Sequence, residues 1–304
     1  MFKTLLESLG QILIMVCLGF CLEKNHLLGG RETKDSLTRL LVDVLTPFNI
    51  LSSCAREFSS EAGREVFLCI GMSIVYYVSS LVFCCCFFTM VHIDDHKRGV
   101  AITSSVFANT AFIGYPIVTS LFGSEGILFG SAFGIGYSLF MFTFGVRFLS
   151  GKRQCANLKA LISPNLVAVI LSNIIYFSPY RLPHFVNSCI SSLGSTTVPL
   201  SMFLIGATFV GVSFKSMFSD GYAYLVALVR LMFIPLCLIL TFKLMPCLSL
   251  KTKQICVLIA SAPVGSFNVI LSQRYGGNAD FANKGLCISM LFSIFTIPLM
   301  FSLV

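Results

Sequence analysis

The sequence predicts an all-α polytopic membrane protein with ten transmembrane helices in two inverted repeats of five, residues 1–150 and 151–304. Three observations carry this prediction: the scarcity of charge, the number of long apolar stretches, and landmarks that recur half a chain apart. Of the 304 residues, 56% are hydrophobic and 11% are charged, whereas average soluble domains carry about 25% charged residues. So few charges could not cover a soluble monomer of this length, which disfavours a soluble enzyme, a nucleic-acid binder and a disordered chain.

Ten weakly charged stretches are each long enough to cross a bilayer as a helix, which takes roughly 20 residues. The first follows Lys3 and lacks a signal-peptide cleavage site, so it is interpreted as a transmembrane helix. The second contains Arg39 and Asp43 and fits a span if Arg39 extends to the interface. The ten stretches lie at about 6–22, 38–56, 66–91, 99–122, 126–148, 160–178, 190–212, 221–243, 254–273 and 283–303.

The distribution of Lys and Arg predicts how the chain is oriented in the membrane. Cytoplasmic loops carry an excess of these residues. Of the 21 Lys and Arg, seven lie in the even-numbered loops and at the two ends, and Arg230 lies inside a span. The other 13 lie in the odd-numbered loops: Lys24, Arg31, Lys34, Arg39, Lys97, Arg98, Arg147, Lys152, Arg153, Lys159, Lys215, Arg274 and Lys284. This bias places the odd-numbered loops in the cytoplasm and both termini outside, in a plasma (bacterial inner) membrane.

Landmarks in the two halves of the chain recur at nearly the same offset. Pro47 in "LTPFNIL" and Pro199 in "TVPLSMFL" are 152 residues apart, and Gly123 and Gly276 are 153 residues apart. Each half then holds five helices. Because five is odd, the second half begins on the opposite side of the membrane from the first. Inverted repeats of this kind are a recurring plan for secondary transporters.

The fourth and ninth spans correspond under this offset, and both carry residues that break helices. Proline removes a backbone donor, and glycine permits non-helical angles. Unwound segments are tolerated in a bilayer only where they are buried or line a cavity, so paired broken spans indicate a substrate site near the midplane. The residues predicted to form it are Asn109, Thr110, Gly114 and Pro116 in the fourth span and Ser261, Pro263, Gly265, Ser266 and Asn268 in the ninth.

The segments "ANTAFIGYP" and "APVGSFNVILSQRYGGNADFA", followed by a span ending in "FTIPL", resemble the auxin efflux carrier family of PIN-like membrane transport proteins. The resemblance runs over nearly the whole chain. It implies ten helices in two inverted repeats, with the fourth and ninth helices crossing at the substrate site. The family's crossover asparagine and its proline fall on Asn109 and Pro116, and the ninth-helix proline falls on Pro263. Asn268 replaces a later proline of the plant carriers, and the long cytoplasmic loop of many plant members is absent, as in compact bacterial-type members.

The predicted site suits a small organic anion such as a mono- or dicarboxylate. A broken helix exposes unpaired N–H groups where its second half begins, and these groups and the helix dipole favour an anion. Arg230, roughly mid-span in the eighth helix, either attracts the anion or pairs with Asp43 or with backbone carbonyls. Asp43 is the one aspartate in a predicted span, and Glu7 lies at the very start of the first span, so Asp43 is the candidate for coupling to H⁺ or Na⁺. The alternative to this coupling role is that Asp43 simply lies at the cytoplasmic end of a short helix.

The function predicted from these features is a secondary carrier that works by alternating access around the crossover. An enzyme is not expected, because serine-hydrolase and metalloprotease motifs are lacking and a single intramembrane aspartate cannot form an aspartyl dyad. A membrane receptor on the same scaffold remains the alternative. No cofactor or metal is expected, and "HIDDH" at 92–96 is interpreted as a solvated turn. The lipid bilayer is the expected surrounding, nucleic acid is not a partner, and a homodimer would suit the resemblance.

The predicted topology can be tested by labelling single cysteines introduced into a cysteine-free variant. An impermeant thiol reagent added outside should label positions near 2 and 304, and it should not reach the 23–36 and 150–158 loops. Labelling of the second loop from outside would contradict the inverted-repeat arrangement.

Overall fold

A computed structural model describes residues 2–52, 60–150, 164–178, 182–210, 218–245 and 247–304. The described residues fold into helices without a β-strand, which agrees with the all-α class. The ends of the predicted spans at 53–56, 160–163 and 211–212 lie outside the described residues. The helices are α1 (Phe2–Lys24), α2 (Arg31–Leu40 continued by Leu41–Leu45 and Thr46–Leu51), α3 (Ser60–Met90), α4 (Asp95–Val106), α5 (Thr110–Gly123), α6 (Glu125–Ser150), α7 (Pro164–Phe177), α8 (His184–Thr208), α9 (Gly221–Lys243), α10 (Leu250–Ala260), α11 (Ser266–Tyr275) and α12 (Ala279–Ser302).

Each predicted span coincides with a helix or, at the fourth and ninth, with a pair of helices. Within the described residues five helices are long and apolar enough to cross a membrane, namely Gly63–Met90 and the helices α6, α8, α9 and α12. Two shorter apolar helices are α5 and α7. The second span is shifted from its predicted position, since α2 begins at Arg31 rather than at 38. Its first ten residues, RETKDSLTRL, are largely polar, so an apolar pattern could not find them.

Three helices contain a π-helical turn that is followed two residues later by a proline. The turns are Leu41–Leu45 in α2, Thr110–Gly114 in α5 and Val229–Phe233 in α9, and the prolines are Pro47, Pro116 and Pro235. Proline has no N–H to donate, and its ring collides with the carbonyl one turn earlier. The wider turn accommodates the ring while the helix continues. Gly114 and Pro116 therefore mark a π turn, and the unwound backbone comes earlier, at 107–109.

The landmarks of the sequence repeat occupy similar structural positions. Gly123 and Gly276 both adopt positive φ, 59° and 80°, and each ends the second helix of a broken pair. Only glycine takes this conformation without strain. Pro47 and Pro199 likewise follow irregular turns within α2 and α8. These parallels favour the repeat that the sequence predicts.

The helices pack into two groups. The four-helix bundle consists of α1, α2, α7 and α8, with α1 lying along the second half of α8 and α2 packing on α7 and α8. The eight-helix bundle consists of α3–α6 and α9–α12, in which α3 packs against the 115–140 segment and α9 packs against α12. The two bundles meet where α1, α7 and α8 face α12 and the 110–140 segment. Both broken pairs of helices lie in the eight-helix bundle.

Two glycines allow the backbones of α1 and α8 to touch. A Cβ atom on Gly19 would lie 2.3 Å from the Phe203 carbonyl oxygen, and one on Gly206 would lie 2.0 Å from the Val16 carbonyl oxygen. Small residues at membrane helix interfaces allow this close approach, which maximises van der Waals contact. The four-helix bundle is therefore held by direct backbone packing.

Replacing Gly206 should destabilise this packing. In Gly206→Ala the new methyl group meets backbone atoms that cannot rotate away, and overpacking of this kind costs about 1–3 kcal/mol. The thermal unfolding midpoint of detergent-purified protein should fall. Gly10→Ala in α1 is the control, because nothing lies within 4 Å of its new Cβ. Equal midpoints for the two variants would contradict the close contact.

Candidate functional site: the helix crossover

The two breaks in the helices meet and pair with each other. The Asn109 backbone N–H donates to the Pro263 carbonyl over 2.7 Å, and the Gly265 N–H donates to the Phe107 carbonyl over 3.0 Å. Ala108 and Val264 thereby form an isolated antiparallel bridge. Each unwound segment supplies the hydrogen-bond partners that the other lost when it left the helical conformation. The bridge meets the requirement that backbone groups in a bilayer be satisfied within the protein.

Gly265 and Pro263 show why these residue types occupy the break. A Cβ on Gly265 would lie 2.9 Å from the Ala108 carbonyl oxygen, so a side chain there would push the segments apart. Pro263 has no N–H, and its carbonyl accepts the Asn109 bond. The Val264 N–H donates to Ser289 Oγ on α12 over 3.0 Å. The crossover is thus attached to a third helix.

The Asn268 side chain links the two segments that form the bridge. The side chain is fully buried, and its amide group donates to the carbonyls of Phe107 and Gly265 over 3.0 and 3.1 Å. Its Oδ1 atom is buried and has no protein partner. Because both amide bonds go to backbone at the break, the geometry gives Asn268 a role in holding the crossover together.

The second helices of both pairs begin side by side without side-chain caps. The residues that precede α5 and α11 are Asn109 and Gly265, and neither provides a side-chain hydrogen bond to its own helix. Asn109 Nδ2 instead donates to Ser266 Oγ over 3.1 Å and so links the two N-termini. By contrast α9, α10 and α12 are each capped by a side chain. Uncapped helix N-termini present free N–H groups and partial positive charge.

A cavity of about 60 Å³ adjoins these two N-termini. None of the described residues that line it is charged. Aromatic rings form much of its wall, and a Cβ on Gly134 would lie 2.5 Å from the Tyr115 hydroxyl, so the glycine leaves room for that ring. Its lining residues are Thr46, Ile50, Ala108, Asn109, Thr110, Ala111, Phe112, Tyr115, Gly134, Tyr137, Ser138, Phe142, Asn165, Val169, Gly265, Ser266 and Phe267.

Two polar atoms at the cavity are buried and have no protein partner. They are Thr110 Oγ1, on the first turn of α5, and Asn165 Oδ1, on α7 of the four-helix bundle. A buried polar atom without a partner is costly. Polar atoms of this kind at a cavity are available to a bound molecule. Because α5 and α7 belong to different bundles, such a molecule would contact both.

Four of the predicted site residues line the cavity: Asn109, Thr110, Gly265 and Ser266. The other predicted site residues do not line the cavity and lie in or beside the crossover. Pro263 and Asn268 bond to the opposing segment, the Ser261 hydroxyl donates to the Val257 carbonyl within α10 over 2.7 Å, and Gly114 and Pro116 lie in the π turn and beginning of the α-helical part of α5. The lining residues Thr46, Tyr115, Tyr137 and Asn165 were not among those predicted. Thr46 and Tyr115 carried a local signal, since they precede Pro47 and Pro116 in the quoted segments.

Arg230 lies behind the crossover and away from the cavity. The side chain is fully buried. The guanidinium donates to the carbonyls of Ser105, Val106 and Ala260, and these are the last residues of α4 and α10. The sequence left three partners open for Arg230: the anion, Asp43 and backbone carbonyls. The structure shows the backbone carbonyls.

Asp43 lies in the π turn of α2 and is exposed on the helix surface. It does not line the crossover cavity. A carboxylate that exchanges a proton or binds a cation for transport is expected to face the substrate site or a path to it. The position of Asp43 therefore gives no support to its predicted role in coupling.

The chain belongs to the membrane transport protein family. The family profile matches residues 4–156 and again residues 152–301, and this confirms the resemblance to the auxin efflux carriers. An uncharacterized transporter of Methanocaldococcus jannaschii is 25% identical over 307 residues, covering 95% of both chains. An uncharacterized transporter of Methanothermobacter thermautotrophicus is 24% identical over 310 residues, covering 96% of both chains. Together with the apolar helices, these matches establish an integral, multi-pass membrane protein of a transporter family.

Removing the Asn268 amide should weaken the crossover. Asn268→Ala deletes two buried hydrogen bonds, each contributing about 0.5–1.5 kcal/mol net, while the Phe107 and Gly265 carbonyls keep the backbone N–H donors of Gly265 and Asn268. The thermal unfolding midpoint should fall measurably. Asn25→Ala removes one hydrogen bond from an exposed asparagine and should change the midpoint little. An Asn268→Ala variant as stable as this control would contradict the structural role.

Proposed function

We propose that the protein is a secondary carrier for small organic anions and that a monocarboxylate with an apolar body fits it best. The observation that carries the proposal is the convergence of two uncapped helix N-termini, those of α5 and α11, on one uncharged cavity. Helix N-termini bind anions through free N–H groups and the helix dipole. The first backbone bonds of α5, donated by Ile113 and Gly114 to the Asn109 carbonyl, leave the preceding N–H groups available.

The charge at the cavity favours a single negative charge. Each helix N-terminus is equivalent to roughly half a positive charge, so two of them match one carboxylate. The described lining residues include no Lys or Arg that could balance a second negative charge. The aromatic walls of Phe112, Tyr137 and Phe142 suit an apolar substrate body. An anion held by dipoles and neutral donors can also leave again, as transport requires.

Two neighbouring cavities that share lining residues support alternating access. A second cavity of about 220 Å³ lies between α2 and α8 of the four-helix bundle and α11 and α12 of the eight-helix bundle. Phe112 and Ser266 line both cavities, so these two residues separate them. The polar residues of the second cavity include Lys34, Thr38 and Asn283. Relative movement of the bundles would open one cavity or the other toward the crossover.

The topology proposed with this function has ten spans in two inverted repeats, residues 1–150 and 151–304, with both termini outside the plasma membrane. The double family match supports the repeat, because the overlap of the two matched segments at 152–156 lies beside the proposed boundary. The positive φ shared by Gly123 and Gly276 supports it as well.

Flux measurements in proteoliposomes test the function. Purified protein should carry radiolabelled monocarboxylates at a rate that depends on a potassium-valinomycin potential. An anion leaving an inside-negative compartment gains about 2.3 kcal/mol per 100 mV, so export needs no coupling ion. Saturable binding without flux across a panel of mono- and dicarboxylates would instead favour the receptor alternative.

Asn109 is the residue whose replacement should affect the anion most. Asn109→Ala removes the polar group that directly precedes α5, and a hydrogen bond to a charged group contributes about 1.5–3 kcal/mol, or roughly 10- to 150-fold in affinity. Asn109→Asp should weaken binding further at neutral pH, because its carboxylate would occupy the positive ends of both helices. Binding and flux should be measured for both variants.

Asn25→Asp is the matched control, because it adds the same charge at an exposed position just after the end of α1. It should bind and transport like the parent. Should Asn109→Asp bind a monocarboxylate as tightly as this control, the anion site does not lie at the crossover.

A further inference from the structure

Arg230 joins the C-terminal ends of the two broken helix pairs. Its guanidinium donates to the Ser105 and Val106 carbonyls at the end of α4, over 3.1 and 2.7 Å, and to the Ala260 carbonyl at the end of α10. A fourth bond goes to the Tyr76 hydroxyl on α3 over 3.0 Å. The side chain is 0% exposed, and within the described residues no carboxylate pairs with it.

The charge of Arg230 is balanced by helix ends. The C-terminus of a helix is equivalent to roughly half a negative charge, so the ends of α4 and α10 together balance one cation. The four bonds donated by the two terminal nitrogens replace most of the water that the guanidinium loses on burial, and its Nε atom is buried without a protein partner. A buried charge is tolerated where it is compensated and hydrogen-bonded in this way. Arg230, which contacts both helix ends, lies in the π turn Val229–Phe233.

In other transporters the coupling ion binds at a similar position, beside the C-terminal ends of broken helices. Unwound backbone carbonyls and the C-terminal ends of half-helices coordinate Na⁺ or H⁺ in inverted-repeat carriers. In this protein the carbonyls of Ser105, Val106 and Ala260 already accept guanidinium N–H groups. A cation there would find these three carbonyls already engaged and would meet a fixed positive charge, and of the nearby α4 oxygens the buried Ser104 and Ser105 hydroxyls have no protein partner.

We propose that Arg230 is a built-in counter-cation that occupies the place of a coupling ion, and that the crossover consequently neither binds nor needs Na⁺. Arg230 is then a positioning residue: it holds the ends of α4 and α10 together and so sets where α5 and α11 begin. The consequence for transport rests on the proposed carrier function, whereas the effect on cation binding does not.

Thermal unfolding of detergent-purified protein tests the proposal without any substrate. The parent should unfold at the same temperature in sodium chloride and in choline chloride of equal concentration. Arg230→Gln exposes the carbonyls and removes the cation, so its midpoint should be lower in choline and should rise saturably as Na⁺ replaces choline. Arg274→Gln is the control, since it loses the same charge from an exposed position on α11, and it should show no specific response to Na⁺.

Two results would overturn the proposal: a saturable Na⁺-specific rise in the parent, or an Arg230→Gln variant as stable and as indifferent to Na⁺ as the Arg274→Gln control. If Arg230→Gln does not fold, Arg230→Lys decides. It keeps the charge, so it should be less stable than the parent yet insensitive to Na⁺, and a Na⁺-dependent Arg230→Lys would contradict the proposal.

Flux in proteoliposomes separates this proposal from the carrier function. For the parent, the ratio of monocarboxylate flux in sodium to flux in choline should be near one. Absence of flux for every anion, together with the expected thermal results, would reject the carrier function and leave the role of Arg230 standing. Flux that requires Na⁺ would support a carrier and reject the counter-cation.

Discussion

The need to satisfy every backbone polar group inside a bilayer governs this structure. Two helices are interrupted in the middle of the eight-helix bundle, and each interruption frees N–H and carbonyl groups that water cannot reach. The antiparallel bridge between Ala108 and Val264 satisfies part of this requirement. The Asn268 amide, Ser289 and the Arg230 guanidinium satisfy more of it. The broken helices are possible because each break lies against the other.

Crossing two broken helices also separates charge. The C-terminal ends of α4 and α10 face Arg230, while the uncapped N-terminal ends of α5 and α11 face the cavity. The negative ends are therefore balanced within the protein, and the positive ends are left for a ligand. A site whose described lining residues are all uncharged can in this way favour an anion. The same crossing of helices therefore places the negative helix ends against Arg230 and leaves the positive helix ends at the cavity.

The two bundles differ in how they are held together. Close backbone contact at Gly19 and Gly206 joins α1 to α8 in the four-helix bundle. Polar bonds at the crossover join the helices of the eight-helix bundle. The crossover cavity draws Thr46 and Asn165 from the first bundle and Asn109 and Tyr137 from the second. A molecule bound there would be sensitive to how the bundles lie relative to each other.

The sequence by itself determined the helical membrane class, the positions of nearly all helices and the two broken segments, because apolar length, proline and glycine act locally. The positions of Asn109, Thr110, Gly265 and Ser266 beside the cavity followed from the same local signals. Tertiary structure alone decided that Arg230 binds helix ends, that Asn268 holds the bridge, and that Tyr137 and Asn165 reach the cavity. These depend on which helices lie side by side, and a polar or aromatic residue in an apolar stretch does not itself indicate which neighbour its side chain will meet.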